Sequence, residues 1–261
     1  MNNWDSWPKW NEQDTAFRTP RFNFSCSTTD FSGKTNLQEI ALLKERRHLG
    51  FFRDIAGDKQ PERIFELGYF QGGMPLFLAD MIAPKQIVAI DFYPPTDDLL
   101  KLIEDSKLST KIDLIGNVLQ NDTDKIRNIL DDKFGPEPLD LIIDDCSHYY
   151  LETKACFEAL FNYLRPGGKY IIEDWGWTHW PGANWQGNDS HFKNGQSMSN
   201  LIFEIIMAMA SDQGKISNVN ILSDSFAVIT RGPSAPHKEP LDLRGMTNLA
   251  GGRVATLISN P

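Results

Sequence analysis

The chain has 261 residues, 41% of them hydrophobic and 23% charged, an ordinary globular balance with length enough to bury a sizeable core. A formal charge of −9 is the wrong sign for neutralising phosphates, which argues against nucleic acid as a partner, and no apolar run approaches the roughly 18 residues of a membrane span. Three cysteines (Cys26, Cys146, Cys156) are too few for a disulfide framework and are not spaced for zinc; the start, MNNWDSWPKW, shows no signal-peptide pattern, so a reducing cytoplasm is expected.

Residues 1–34 mix Trp, Asn, Ser, Thr and Phe without a clear period and read as an irregular arm. Thr35-Asn-Leu-Gln38 has the form of a capping box, and Leu37, Ile40, Leu43, Phe51, Phe52 and Ile55 continue at roughly helical spacing to Gly57. Residues 1–58 are therefore expected to be an arm and a helix that cover an acceptor site or make a homo-oligomer contact. Over 59–230 short apolar strands alternate with helical stretches. The strands are expected at 63–68, 86–91, 111–116, 139–145 and 168–173, with helices near 72–83, 96–107, 122–132 and 150–164, the last ended by Arg165-Pro-Gly-Gly168. Such alternation predicts right-handed crossovers and a parallel sheet covered on both faces. A polar, Trp-rich loop at 175–195 precedes an apolar helix near 196–212, whose Met, Ile and Phe stripe reads as core or subunit interface. Two further strands, 216–222 and 225–230, have only Ser223 and Asp224 between them, a loop that joins antiparallel neighbours. The expected fold is thus α/β, a doubly wound, mostly parallel seven-stranded sheet with a C-terminal antiparallel hairpin. The tail, 231–261, reads as irregular.

In an open parallel sheet, ligands bind beyond the carboxyl ends of the strands. The first candidate is Glu66-Leu67-Gly68-Tyr69-Phe70-Gln71-Gly72, leaving the first of these strands for a helix. Glycine lets the backbone turn tightly and approach a ligand closely. A dinucleotide fingerprint would place glycine at 70, where Phe stands, and Glu66 suits a cationic ligand better than a phosphate. The next strand ends in Asp91, where a carboxylate can accept both hydroxyls of a ribose.

The second candidate is Asp144-Asp145-Cys146-Ser147-His148, followed one strand later by Glu173-Asp174. Adjacent parallel strands lie about 4.8 Å apart, so the two ends can share one cation. Like charges that close raise each other's pKa unless something neutralises them, and a divalent metal does so. The candidate ligands are all oxygens, which implies a hard cation, Mg²⁺ before Ca²⁺ because water and substrate oxygens would make up the rest of the shell. His148 is placed to take a proton from a hydroxyl in the same cavity. Asp144 has an alternative role, capping the following helix.

The seven tryptophans form two groups: Trp4, Trp7 and Trp10, then Trp175, Trp177, Trp180 and Trp185. Aromatic faces stack on sugar rings or planar acceptors, so Trp175, Trp177 and Trp180 are candidate acceptor residues; packing within the domain or against a subunit is the alternative. The first group reads as a helical face over the cleft or as an oligomer contact. His179 and His191 read as solvated loop residues.

The E-x-G-x-x-x-G turn at 66–72, Asp91 closing the second of these strands and the five-strand-plus-hairpin order resemble the class I S-adenosylmethionine-dependent methyltransferases over roughly 60–230. The resemblance implies that Glu66, Gly68 and Gly72 cradle the cofactor's methionine part and that Asp91 binds its ribose. Asn117 stands where the family often places an acid near the adenine. Asp144-Asp145-Cys146-Ser147-His148, Leu164-Arg165-Pro166-Gly167-Gly168 and Ile172-Glu173-Asp174 narrow the likeness to the metal-dependent sugar O-methyltransferases of antibiotic biosynthesis. That group includes macrolide-sugar methyltransferases and cephalosporin hydroxylase relatives. It implies Mg²⁺ on Asp145, Glu173 and Asp174, with His148 as the general base. Cys146 replaces the group's glycine, and Trp-Gly-Trp-Thr-His after Asp174 departs from its pattern. The implied activity is transfer of a methyl group from S-adenosylmethionine to a hydroxyl of a small sugar or natural-product acceptor. The alternatives are a phenolic acceptor, or a rearrangement or elimination on the same site.

Overall fold

The computed structural model describes residues 8–28, 31–56, 60–187, 195–235, 238–249 and 253–254. Trp4, Trp7 and His191 lie outside them. The chain divides into two compact units, Met1–Leu119 and Gln120–Pro261.

The first unit opens with a four-stranded sheet, not with an irregular arm. Strands β1 (Lys9–Trp10), β2 (Ala16–Arg18), β3 (Asn23–Cys26) and β4 (Ile40–Leu42) lie in that order, β4 parallel to β3 and the others antiparallel. Phe22, Phe24 and Cys26 alternate inward with a strand's period of two, a signal masked by the polar residues between them. Phe17 and Phe24 stack at 4.6 Å, and Trp10 lies 4.6 Å from Phe17 in β1 rather than on a helical turn. The expected capping box also fails. Thr35 Oγ1 donates to the Gln71 carbonyl at 2.7 Å and accepts from the Ala41 amide at 3.2 Å, and the helix, α1 (Arg46–Ala56), starts only after β4.

The remaining elements of this unit follow the expected alternation: β5 (Arg63–Leu67), α2 (Gly73–Met81), β6 (Gln86–Ile90), α3 (Asp97–Asp105) and β7 (Ile112–Ile115). The three strands pair in parallel, with Ile64 opposite Ile87 and Ile87 opposite Ile112. Their apolar runs are nearly continuous because both faces are covered. Helix α2 is buried along its whole length. Phe77 on it meets the rings of Phe17 and Phe24 edge-on, and Asp80 takes the Arg21 guanidinium at 2.6 Å, which fixes the N-terminal sheet to this helix.

The second unit holds α4 (Thr123–Phe134), β8 (Leu139–Asp144), α5 (Tyr150–Leu160), β9 (Leu164–Glu173), α6 (Ala183–Gln186), α7 (Met198–Ser211), β10 (Ile216–Ser223), β11 (Phe226–Arg231), α8 (Leu243–Thr247) and the short pair β12 (Asn248–Leu249) and β13 (Arg253–Val254). All six residues of β8 are buried. β9 runs parallel to β8, while β11 runs antiparallel to β9 and to β10, so the predicted hairpin is present. Arg165-Pro-Gly-Gly168 follows the end of the helical run at Tyr163, as expected, and forms the irregular start of β9, where the register with β8 shifts. The tail is not irregular throughout. Leu241 and Leu243 are buried, the Leu241 amide donates to the Glu158 carbonyl at 2.7 Å, and α8 follows.

Seven strands form one sheet in the order β10-β11-β9-β8-β5-β6-β7, mostly parallel, with helices between them. Among the described residues no helix is long and apolar enough to cross a membrane.

Candidate active site

In the first unit the turn after β5 is built almost wholly from backbone. Gly68 and Gly72 have φ of 92° and 77°, where side chains are strained, and a Cβ on Gly72 would come within 2.5 Å of the Leu99 side chain. Phe70 between them also has a positive φ, 48°. Asp91 lies just past β6 and holds this turn. One of its carboxylate oxygens accepts from the Phe70 amide at 2.8 Å, and the other from the Tyr93 amide at 3.0 Å. Each oxygen keeps a lone-pair direction for a further donor. Glu66 is fully buried at the end of β5. Past β7, Gly116 packs so tightly that a Cβ would meet the Pro94 backbone at 2.3 Å, and Asn117 is exposed with φ of 58°. The structure thus ties Phe70 to Asp91 by a hydrogen bond, and the Gly68 amide donates to the carbonyl of Ile90, the residue before Asp91, at 2.8 Å. Phe70 and Tyr93 are the partners that the sequence did not single out.

In the second unit the residues after β8 and β9 are held by side chains. Asp144 does not join the acidic cluster and does not cap the next helix. Its carboxylate is buried, accepting from Gln120 Nε2 at 2.8 Å and from Tyr170 Oη at 2.9 Å. Burial, with the Asp145 charge adding to it, raises this carboxyl's pKa to about 7, against the lowering effect of those hydrogen bonds. Gln120 Oε1 then accepts from both the amide and the hydroxyl of Ser147, so one amide side chain ties the strand end to the loop beyond it. The Cys146 thiol, expected to stand in for a glycine, is partly buried in this loop.

The residue after Ser147 is His148, with φ of 56°, and Asp174 after β9 has φ of 50°. Left-handed backbone costs roughly 1–2 kcal/mol in a residue other than glycine, so both are held there by their surroundings. Asp145, His148 and Asp174 come together, one ligand atom from each lying within 4.8 Å of the others. His148 Nε2 is 3.7 Å from Asp145 Oδ1, and both side chains are about one-fifth exposed. Two carboxylates and an imidazole this close suit a divalent cation. Glu173, expected in the set, lies outside this trio and is 2% exposed, with its backbone opposite Phe226 of β11.

The acceptor candidates divide. Trp175 and Trp180 are partly exposed, but their indole N–H groups are engaged, on the Ser223 carbonyl at 2.9 Å and on Asp224 Oδ2 at 2.7 Å. Trp177 is 2% exposed and donates to the His148 carbonyl at 2.8 Å. It therefore offers no open face to an acceptor. His179 is exposed, 3.2 Å from the Ser199 hydroxyl. Sequence reasoning missed Gln120 and Tyr170. A tyrosine inside the otherwise apolar run of β9 is a signal, since a buried phenol needs a partner. Gln120 gives no comparable sign.

Comparison with known proteins places this geometry. Residues 65–175 match a family model described as a methyltransferase domain. Mycinamicin VI 2''-O-methyltransferase of Micromonospora griseorubida is 42% identical over 67 residues, 26% of this chain and 16% of that protein. Demethylmacrocin O-methyltransferase of Streptomyces fradiae is 49% identical over 45 residues, 17% of this chain and 11% of its own length. Among solved structures, the MycE methyltransferase of mycinamycin biosynthesis, in complex with Mg, SAH and mycinamycin VI, superposes with a TM-score of 0.52 at 26% identity. That match covers 73% of this chain and 50% of MycE, so the chain corresponds to about half of that protein and to smaller parts of the curated relatives. The matched segment contains the glycine turn, Asp91, Asp145, His148 and Asp174, and it is this part of the chain that is similar to a methyltransferase domain.

Proposed function

We propose that the chain transfers a methyl group from S-adenosylmethionine to a hydroxyl oxygen of a sugar or sugar-bearing natural product, assisted by a divalent cation, Mg²⁺ first. The observation that carries this reading is the meeting of Asp145, His148 and Asp174 inside the matched methyltransferase segment. A methyl donor alone needs no such group. A hydroxyl acceptor does, because its oxygen is a weak nucleophile until its proton is removed. The named relatives are O-methyltransferases of mycinamicin VI and demethylmacrocin, and the MycE structure holds Mg, SAH and mycinamycin VI, which supports both an oxygen acceptor and the cofactors.

In this reading Glu66, Gly68, Gly72, Asp91 and Asn117 hold the donor. The glycine turn gives close backbone approach, and Asp91 offers its remaining lone pairs to ribose hydroxyls while its other hydrogen bonds fix the turn. Asp145 and Asp174 hold the cation, with Glu173 as the further carboxylate implied by the resemblance. When bound, the two groups supply an electrophilic methyl on a sulfonium and a positive charge that acidifies a hydroxyl. His148 accepts the hydroxyl proton on its imidazole, and Asp145 beside it stabilises the imidazolium that forms. Trp175 and Trp180 are the aromatic surface for the acceptor ring.

Calorimetry of the full chain with S-adenosylmethionine and S-adenosylhomocysteine tests the donor half. Mass spectrometry after incubation with macrolide glycosides, seeking a gain of one CH₂ that depends on Mg²⁺, tests the rest. Absence of binding to either cofactor would sink the proposal.

A further inference from the structure

We infer that Trp177 is a positioning residue that holds the two halves of the cation site together. The inference rests on the metal reading above. The cluster is supplied by two separate loops, Asp145 and His148 after β8 and Asp174 after β9. His148 and Asp174 both have left-handed backbones, which persist only where neighbouring groups over-determine them. Trp177 bonds to the carbonyls of these same two residues. Its indole Nε1–H donates to the His148 carbonyl at 2.8 Å, and its backbone amide donates to the Asp174 carbonyl at 3.4 Å.

The side chain is 2% exposed, so the indole bond is shielded from water and the His148 carbonyl has no ready solvent substitute if the donor is lost. Gln120 already fixes the other side of the same loop by accepting from the Ser147 amide and hydroxyl. His148 is therefore pinned on both sides, by Gln120 through its predecessor and by Trp177 through its own carbonyl. Only the second of these clamps also reaches the loop of Asp174. Trp177 is accordingly the one of the two whose loss lets the ligand atoms of the cluster drift apart. Partners that orient ligands in this way typically account for 10–100-fold in metal affinity. Trp177 thereby gains a role in building the site rather than in touching the acceptor.

The test uses Mn²⁺ as the probe, titrated into the full chain and followed by the electron paramagnetic resonance signal of the free ion. Trp177→Phe keeps a ring and removes the donor. It is expected to weaken Mn²⁺ binding about 10-fold or more while S-adenosylhomocysteine affinity, read by calorimetry, stays within about 2-fold. Replacement of Trp177 by 3-benzothienylalanine keeps the bicyclic volume and lacks the N–H, so it separates the bond from the packing and should give the same loss. Ile229→Val in β11 serves as a control for a small general destabilisation and should leave the Mn²⁺ affinity unchanged. Equal Mn²⁺ affinity in the wild type and the benzothienyl variant overturns the inference and leaves the metal reading standing. A wild-type chain that binds S-adenosylhomocysteine but not Mn²⁺ overturns the metal reading, and this inference with it.

Discussion

The glycine turn of the first unit and the carboxylate–histidine cluster of the second are held in shape by different parts of the chain. The turn is shaped by backbone. Two glycines and Phe70 at positive φ make the bend, and one carboxylate, Asp91, fastens it by hydrogen bonds to two backbone amides, Phe70 in the turn and Tyr93 just beyond Asp91 itself. The cluster is shaped by side chains drawn from far apart. Gln120, Tyr170 and Trp177 anchor Asp144, Ser147 and His148 by hydrogen bonds that span 24 to 29 residues of sequence. A backbone device depends on a few residues of fixed type. A side-chain network has many members, and a lesion in any one is felt at the ligands.

If the two regions work independently, lesions in one should spare the other, and the largest effect belongs to the cluster. Asp145→Ala removes a cation ligand and the partner of His148. It should cut turnover by about 10³-fold or more, since the metal's share of the barrier is several kcal/mol, while leaving S-adenosylhomocysteine binding intact by calorimetry. EDTA should do the same reversibly. His148→Ala should cost about 10²–10⁴ in turnover with the donor still bound. Full activity in EDTA would show the carboxylates to be structural and would break the comparison at its stronger end.

The reverse lesion is smaller. Asp91→Ala strips the acceptor from the Phe70 and Tyr93 amides and from the expected ribose contact together. Hydrogen bonds to a charged group contribute about 1.5–3 kcal/mol, so donor affinity should fall by roughly 10–100-fold. Mn²⁺ affinity should not move. A loss of both together would mean that the two regions are coupled.

A third comparison sits within the backbone class itself. Gly72→Ala meets a left-handed φ and an overlap with Leu99 at 2.5 Å, and should lower stability by about 1–3 kcal/mol in urea unfolding. Gly167→Ala has a similar φ, 74°, but its Cβ meets only the tip of Arg165 at 3.6 Å, so roughly 1 kcal/mol is expected. Equal losses would mean that the close packing at Gly72 relaxes freely.

The same contrast explains what was legible in the sequence. The five parallel strands, the hairpin, Gly68, Gly72 and Asp91 were readable because periodicity and turn chemistry are local. Asp145 and His148 after one strand and Asp174 after the next were readable as polar runs at apolar strand ends, but Glu173, read with them, lies outside the trio. The N-terminal sheet was not, because Phe17, Phe22 and Phe24 find their partners across strands and on Phe77, and Thr35 bonds to Gln71 instead of capping a helix. Asp144 and Trp177 were misplaced for the same reason. Their residue types suited a cap and an acceptor face, and only the fold reveals Tyr170, Gln120 and the His148 carbonyl as their partners.

The smallest expected effect is on stability against pH, and it isolates the network beneath the cluster. The Asp144 carboxyl titrates at about 7 in the fold against 3.8 as its ordinary value. Between those values the folded chain holds a proton that the unfolded chain has lost, so this group's contribution is fully present below pH 3.8 and is lost as pH rises through about 7. Its share of the slope of unfolding free energy is negative and no steeper than about 1.4 kcal/mol per pH unit, the limit for one proton. Asp144→Asn keeps an acceptor for Gln120, turns an amide towards Tyr170, whose hydroxyl can accept, and cannot titrate. In urea unfolding with EDTA from pH 5 to 8, the wild type should lose stability relative to this variant as pH rises. Glu158, also raised by burial, remains in both and cancels from the difference. Adding Mg²⁺ places positive charge next to Asp145 and favours the ionised Asp144, so it should flatten the difference. Parallel stability curves in EDTA would mean that Asp144 is ionised throughout, leaving the Gln120 and Tyr170 hydrogen bonds dominant over burial.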